Sequence, residues 1–130
     1  MKRTFALISI LLLISQSVFS QDGPKIQFDS EVIDYGTVVK GRDDGIRHFE
    51  FENIGNAPLV INSVKTSCGC AITSKPDSPI KPGEKGVIKV QYNMNPGPIS
   101  KTITVSSNAI NKSSGVVPLR IKGKVVDLGP

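Results

Sequence analysis

The sequence predicts an all-β domain, an immunoglobulin-like β-sandwich of about seven antiparallel strands. Short runs rich in Val, Ile, Thr, Phe and Tyr recur after residue 20, and clusters of Gly, Pro, Asn and Ser separate them. No apolar spacing of three and four persists for ten residues in that part of the chain. Alternation bounded by turn residues is typical of strands, and a missing helical period argues against helices. About seven strands is the number expected of an immunoglobulin-like sandwich.

The first 20 residues have the composition of a signal peptide. A basic start is followed by an apolar run at residues 5–14 and then by small and polar residues up to Ser20. This is the order of regions in a cleavable leader. We therefore expect cleavage before Gln21, a periplasmic or secreted protein, and one mature domain over residues 21–130. No other run approaches the length of a membrane-spanning helix, so no membrane span is expected.

The elements follow in order from the runs and the turns between them. The predicted strands cover residues 26–28, 32–39, 46–52, 59–65, 86–92, 101–106 and 118–126. Three loops rich in Gly, Pro and Asn separate the later ones, at residues 53–58, 81–84 and 95–98. Pro and Gly favour the backbone angles that tight turns require, which supports these boundaries.

The third predicted strand shows the clearest alternation. Phe49 and Phe51 alternate with three polar side chains, which are His48, Glu50 and Glu52. Because successive side chains of a strand point to opposite faces, we expect both rings in the core and the polar residues in solvent. The last three predicted strands alternate in the same way, so each is expected to have one face exposed to solvent.

Composition argues against several classes of function. The net charge of +5 includes Lys2 and Arg3, which leave with the leader, and the small remaining excess does not indicate nucleic-acid binding. Trp is absent and aromatic residues are scarce, which disfavours sugar platforms and base stacking. The single His and the absence of nucleophile or phosphate-loop motifs leave no base to pair with a nucleophile. We therefore expect no enzyme activity.

Cys68, Gly69 and Cys70 form the one constellation with chemistry of its own. The first interpretation is structural, a local disulfide between Cys68 and Cys70 or a thiol pair at a strand end, which export would permit. Such a ring is small and strained, and Gly69 would relax the backbone restriction. The second interpretation is a metal site, because two thiolates suit a soft ion such as Cu(I) or half of a zinc shell.

Each metal needs further ligands, and the chain offers few. Met94 would complete a copper site with the two cysteines, although nothing in the sequence requires the three to meet. His48 is the only histidine available to zinc. A third interpretation, thiol redox chemistry, would need a cation that lowers the pKa of a thiol, for which Lys65 and Lys75 are the candidates.

A basic row lies on the last predicted strand. Arg120, Lys122 and Lys124 alternate with apolar residues and so share its outward face. One interpretation is a docking stripe for acidic polymers of the envelope. The favoured one is a solvated strand whose charges discourage pairing at a sheet edge.

Five segments together carry a resemblance to a known family. They are residues 51–61 (FENIGNAPLVI), 67–70 (SCGC), 80–86 (IKPGEKG), 107–108 (SN) and 119–123 (LRIKG). In this order they resemble the bacterial family called domain of unknown function 1573, over about residues 26–126. The resemblance implies an immunoglobulin-like sandwich, similar to Hydin-type and major-sperm-protein-type domains, exported by envelope-rich bacteria such as the Bacteroidetes. It implies no established activity.

The sequence therefore favours an exported, non-catalytic binding or structural module of the bacterial cell envelope. Its partner is expected to be another envelope or secreted protein. The alternative is a periplasmic thiol-based protein that uses Cys68 and Cys70 to bind copper or zinc, or as a redox couple. Apart from that metal, no cofactor is expected.

Overall fold

The chain folds into an immunoglobulin-like sandwich of two four-stranded sheets. The computed structural model describes residues 22–67 and 70–129. Its strands are β1 (Ile26–Phe28), β2 (Val32–Val39), β3 (Ile46–Asn53), β4 (Ile61–Thr66), β5 (Cys70–Ser74), β6 (Lys85–Tyr92), β7 (Gly97–Ser107) and β8 (Val116–Val126). A 3-10 turn at Ser113–Gly115 precedes β8. One sheet has the order β1-β3-β6-β5, which we call the first sheet, and the second sheet has the order β2-β8-β7-β4.

The predicted leader lies outside the described residues, so cleavage before Gln21 stays a prediction. Within the part of the chain that the structure describes, no helix is long and apolar enough to cross a membrane.

Alternation places the core as the sequence predicts. Phe49 and Phe51 are each 1% exposed, whereas His48 and Glu50 on the same strand are exposed. The other strands contribute fully buried aliphatic side chains from both sheets, among them Ile26, Ile88, Val90, Ile103, Val105, Leu119 and Ile121, and Leu59 adds another from the isolated bridge that it forms with Ile80. Burial of these apolar side chains between the sheets is the main favourable contribution to folding.

One strand pair is parallel, contrary to the antiparallel arrangement expected throughout. The chain leaves the first sheet after β1, and β2 then pairs with β8 of the second sheet from Val32 opposite Arg120 to Val39 opposite Val126. A parallel pair needs a long crossover between its strands, and here nearly the whole domain provides it. Local alternation carries no information about such a pairing.

Strand β5 lies between the predicted strands at residues 59–65 and 86–92, where the sequence pattern predicts no strand. It pairs with β6, with Cys70 opposite Tyr92 and Ile72 opposite Val90. Only five residues long, it has Ile72 as its one large apolar side chain, which is too weak a pattern to predict a strand. Cys70 thus stands at the end of a strand that the sequence pattern does not predict.

The outer strands of the two sheets differ in how they are protected from pairing with other chains. On β1, the Asn111 amide donates to the Ile26 carbonyl at 2.9 Å and accepts from its N–H at 3.0 Å, as a neighbouring strand would. Strands β2 and β4 carry the charged residues Asp34 and Lys65, respectively. Charged residues and blocked backbone groups are the usual protection of edges. Strand β5 has no charge and no proline, and its irregularities are a register shift after Ile72 and the bond from the Thr66 hydroxyl to the Cys70 carbonyl.

Candidate site at the Cys70 end of the sandwich

The chain crosses from β4 in the second sheet to β5 in the first at one end of the sandwich. The Thr66 hydroxyl donates to the Cys70 carbonyl at 3.1 Å, and the Ser67 N–H donates to the Thr102 carbonyl of β7 at 3.2 Å. These bonds fix both sides of the crossover. Cys68 and Gly69 lie outside the described residues, so the disulfide between Cys68 and Cys70 stays a prediction.

Cys70 borders an open pocket of about 380 Å³ at this end. The side chain is half-buried and packs against the core. The pocket is lined by Asp44, Cys70, Ala71, Gln91, Tyr92, Asn93 and Met94. The structure thus brings a cysteine and a methionine to one pocket, although their positions in the sequence differ by 24.

A turn before β3 holds Met94 in place. Met94 is 7% exposed and has a positive φ of 60°. Two residues earlier, the Tyr92 N–H donates to the Gly45 carbonyl of the turn at 3.0 Å. A Cβ atom on Gly45 would lie 3.3 Å from the Met94 sulfur and would collide with the Tyr92 carbonyl. Gly45 also has a positive φ of 76°, which favours glycine. The close approach of this turn to Met94 therefore depends on glycine.

Aromatic and charged side chains support the same turn. The Tyr35 hydroxyl donates to the Gly45 carbonyl at 2.7 Å, and the Tyr35 and Tyr92 rings meet edge to face at 6.3 Å between centroids. The Arg47 guanidinium lies 4.1 Å from the Tyr35 ring centroid and pairs with Asp43 at 2.8 Å. Burial raises the pKa of Tyr35 to about 12. The phenol therefore stays neutral at physiological pH and acts as a structural donor.

The environment of Cys70 does not favour a reactive thiolate. Burial raises the pKa of the Cys70 thiol, and the positive charge of Lys101 only partly offsets this effect. The cation that acts on the Cys70 thiol is therefore Lys101, and not Lys65 or Lys75 as the redox hypothesis expected. Reactive cysteines need a lowered pKa, so this geometry offers no support to the redox interpretation.

The structure does not bring His48 to the cysteine. His48 lies on the outer face of β3, directly opposite Lys89 on β6, and borders a shallow depression with Glu50 and Val87. Within residues 22–67 and 70–129, no three His, Cys, Asp or Glu side chains converge as a metal site would require. The zinc hypothesis therefore gains no ligand from His48.

Sequence comparison places the chain in a family. A family model described as protein of unknown function (DUF1573) matches residues 26–125, which is most of the chain. The chain belongs to the DUF1573 family. No curated protein matches its sequence.

Solved structures resemble this DUF1573 protein in fold. A protein of unknown function from Porphyromonas gingivalis W83 gives a TM-score of 0.66 at 16% identity, over 83% of this chain and 50% of that one. PapD-like domain 7 of human CEP192 gives 0.61 at 8% identity, over 88% and 94%. The YadV chaperone gives 0.52 at 17% identity, over 81% and 53%. The chain thus spans about half the length of the first and the last, and these likenesses establish the sandwich fold.

Proposed function

We propose that this DUF1573 protein is an exported, non-catalytic module of the bacterial envelope that binds another protein along the open edge of β5. The observation that carries this proposal is the edge at Cys70–Ser74, whose five residues include no charge and no proline and keep a regular register with β6 up to Ile72. An edge with free backbone groups is a template on which an extended segment of a partner can add a strand.

The backbone of β5 presents hydrogen-bonding groups on this open side. The Cys70 carbonyl accepts from Thr66 of β4, which places it on the side away from β6. Because the N–H and C=O of a residue in an antiparallel strand point the same way and alternate along the strand, those of Ile72 share that side. An added strand would thus bond to Ile72 without disturbing the pairing with β6.

A groove beside β5 offers space for a partner's side chain. Val64 of β4 and Ile72 of β5 are only partly buried where the edges of the two sheets meet. With Thr73, Ser74, Lys75 and Asp77 they line a groove of about 390 Å³. Strand addition gains affinity from backbone bonds and specificity from pockets for alternate side chains, and this groove provides such a pocket.

Photo-crosslinking in the native envelope tests this proposal. A photoreactive residue at Ala71, exposed on β5, is expected to give an adduct of defined mass, whereas the same residue at Gln27, on the blocked edge of β1, should give none. Adding Ile72→Pro removes the outward N–H and should lower the yield at Ala71 about tenfold. A thermal melt of Ile72→Pro checks that the sandwich still folds. Equal yields at Ala71 and Gln27, or no adduct at either, would refute strand addition at β5.

We infer a second candidate function, binding of Cu(I), from the meeting of Cys70 and Met94 at one pocket. Thiolate and thioether are soft ligands and select Cu(I) over harder ions. Cys68 enters this proposal from the sequence alone. Ligand thiols must lose their protons, and burial raises the pKa of Cys70, so uptake is expected to strengthen as the pH rises.

The double change Cys68→Ser with Cys70→Ser separates the roles of the pair. A bridge across one residue removes little entropy from the unfolded chain, so the unfolding midpoint should fall only slightly if the pair faces solvent. The same change should abolish uptake of copper or zinc, and Met94→Leu should weaken Cu(I) binding while keeping the apolar volume. Metal content, a thiol count and thermal melts on the same preparations provide the readout. A loss of several kcal/mol in a protein that takes up no metal would show that the cysteines only pack.

A further inference from the structure

The basic row of β8 lies in the middle of a sheet. β8 pairs with β2 on one side and with β7 on the other, so Arg120, Lys122 and Lys124 do not guard an edge and that expectation is wrong. All three side chains are exposed on the outer face, since the alternating Leu119 and Ile121 are fully buried. The row therefore needs another explanation.

Hydroxyl side chains lie beside the row on β7. Thr102 is directly opposite Arg120 and Ser100 is opposite Lys122, and the Arg120 guanidinium donates to the Ser100 hydroxyl at 3.3 Å. On the far side of β7, Lys65 of β4 is opposite Thr104. We call this surface the basic face, and it consists of Lys65, Ser100, Thr102, Thr104, Arg120, Lys122 and Lys124.

The positive charges of the basic face are balanced only in part, because four cations share it with one carboxylate placed directly opposite Lys122. Asp34 of β2 lies opposite Lys122, and its carboxylate also accepts from the Gly36 N–H at 2.8 Å. Within the described residues the ion pair is Arg47 with Asp43, which involves none of these cations.

We propose that the basic face binds an extended acidic segment of a partner protein, with Asp or Glu at alternate positions. This inference rests on the proposed protein-binding function and gives the partner a chemistry. Alternate side chains of a strand recur about every 6.7 Å, so carboxylates at alternate positions of an extended segment match the spacing of the row. The hydroxyls of Ser100 and Thr102 add donors beside the cations. Complementary charge of this kind gives specificity and fast association.

Other anionic surfaces fit the basic face less well. Docking to a membrane normally inserts aromatic or large aliphatic side chains, and stacking on a sugar ring needs an exposed aromatic side chain. All aromatic side chains in the described part of the chain are buried, at 9% exposure or less. The exposed valines on this face, Val32 and Val116, are at its margins. A peptide that needs only charge and hydrogen bonds is the better match.

Fluorescence anisotropy with two labelled peptides tests the proposal. One peptide alternates Glu with Thr, and the other has the same composition with all Glu residues at one end. We expect the alternating peptide to bind more tightly, with an affinity that falls as salt rises. The variant R120Q/K122Q/K124Q should weaken binding about tenfold or more. The matched control K81Q/K85Q/K89Q removes the same number of charges elsewhere and should leave binding within about twofold.

Several outcomes would overturn the inference. Equal losses in the two triple variants would show general charge attraction, and equal binding of the two peptides would show that spacing does not matter. Tighter binding to anionic vesicles or to an anionic polysaccharide than to the alternating peptide would assign the basic face to another partner. The crosslink at Ala71 separates this test from the proposed function. If that crosslink forms while no peptide binds, the basic-face inference fails and strand addition at β5 stands. If the alternating peptide binds while no crosslink forms, strand addition at β5 fails and the basic-face inference stands.

Discussion

Phe51→Ala is expected to lower the free energy of unfolding by roughly 3 to 5 kcal/mol, which is a large share of the stability of a small domain. The Phe51 ring is 1% exposed and its centroid lies 5.4 Å from that of Phe28 on the neighbouring strand. Truncation therefore leaves a cavity between the sheets. Glu50→Ala, one residue earlier and exposed, should change stability by less than about 0.5 kcal/mol.

Gly86 provides a sharper test of the same packing. Gly86 lies directly opposite Phe51, and a Cβ atom there would collide with the Phe51 ring. Gly86→Ala should thus destabilise the wild type through overpacking but should fill part of the cavity in Phe51→Ala. We expect the double variant to be more stable than Phe51→Ala alone in urea unfolding, with a coupling free energy of about 1 kcal/mol or more. Additive effects, or a Phe51→Ala variant as stable as Glu50→Ala, would contradict this packing.

The fold class could be predicted because its signals are local. The alternation around Phe49 and Phe51 decides which face of β3 is buried, and the Pro and Gly residues at 81–84 end one strand before the next begins. Strand order is not local. The parallel pairing of β2 with β8 joins residues nearly ninety positions apart, as Val32 and Arg120 show, so the alternation of either strand is compatible with several neighbours.

The candidate site could be predicted only in part, for the same reason. Cys68, Gly69 and Cys70 stand out by residue type alone, because closely spaced cysteines are rare in a chain with few of them. The meeting of Cys70 with Met94 depends on the pairing of β5 with β6 and on the turn at Gly45. Similarly, alternation puts Arg120 and Lys122 on one face, but only the order of the sheet shows that this face is central.

Asn53 is a residue whose importance its sequence position conceals. The sequence predicts a loop from this position, yet its side chain is fully buried at the end of β3. The amide nitrogen donates to the carbonyls of Ala57 and Ile80, each at 2.8 Å. The amide oxygen accepts from the N–H groups of Gly55 at 2.9 Å and Lys25 at 3.4 Å. One side chain thereby joins the end of β3 to the loop that follows it, to the segment before β1 and to Ile80, which pairs with Leu59.

Asn53→Ala is therefore expected to destabilise the domain by about 3 kcal/mol or more, since each buried backbone group left without a partner costs about 1–3 kcal/mol. Asn56→Ala is the matched control, because this exposed asparagine of the same loop bonds to Gly23 and Asp22 near the chain's surface. Asn56→Ala should lower the free energy of unfolding by about 1 kcal/mol or less. Urea unfolding of both variants at neutral pH gives the comparison, and equal costs would show that burial of Asn53 is not what matters.

Asn53→Asp separates the loss of hydrogen-bond donors from the loss of volume. The carboxylate has the shape of the amide and can still accept from Gly55 and Lys25, but it faces the Ala57 and Ile80 carbonyls without a donor. We therefore expect burial and these two carbonyls to raise its pKa above the value of about 3.9 in the unfolded chain. A group whose pKa is raised on folding destabilises the native state as the pH rises through the folded pKa. The free energy of unfolding of Asn53→Asp should therefore lie far below that of wild type at neutral pH. The difference should shrink towards pH 4, where the protonated acid can donate to one carbonyl. Asn53→Ala should show no such pH dependence, and a pH-independent deficit in Asn53→Asp would mean that the carboxylate has left the core for solvent.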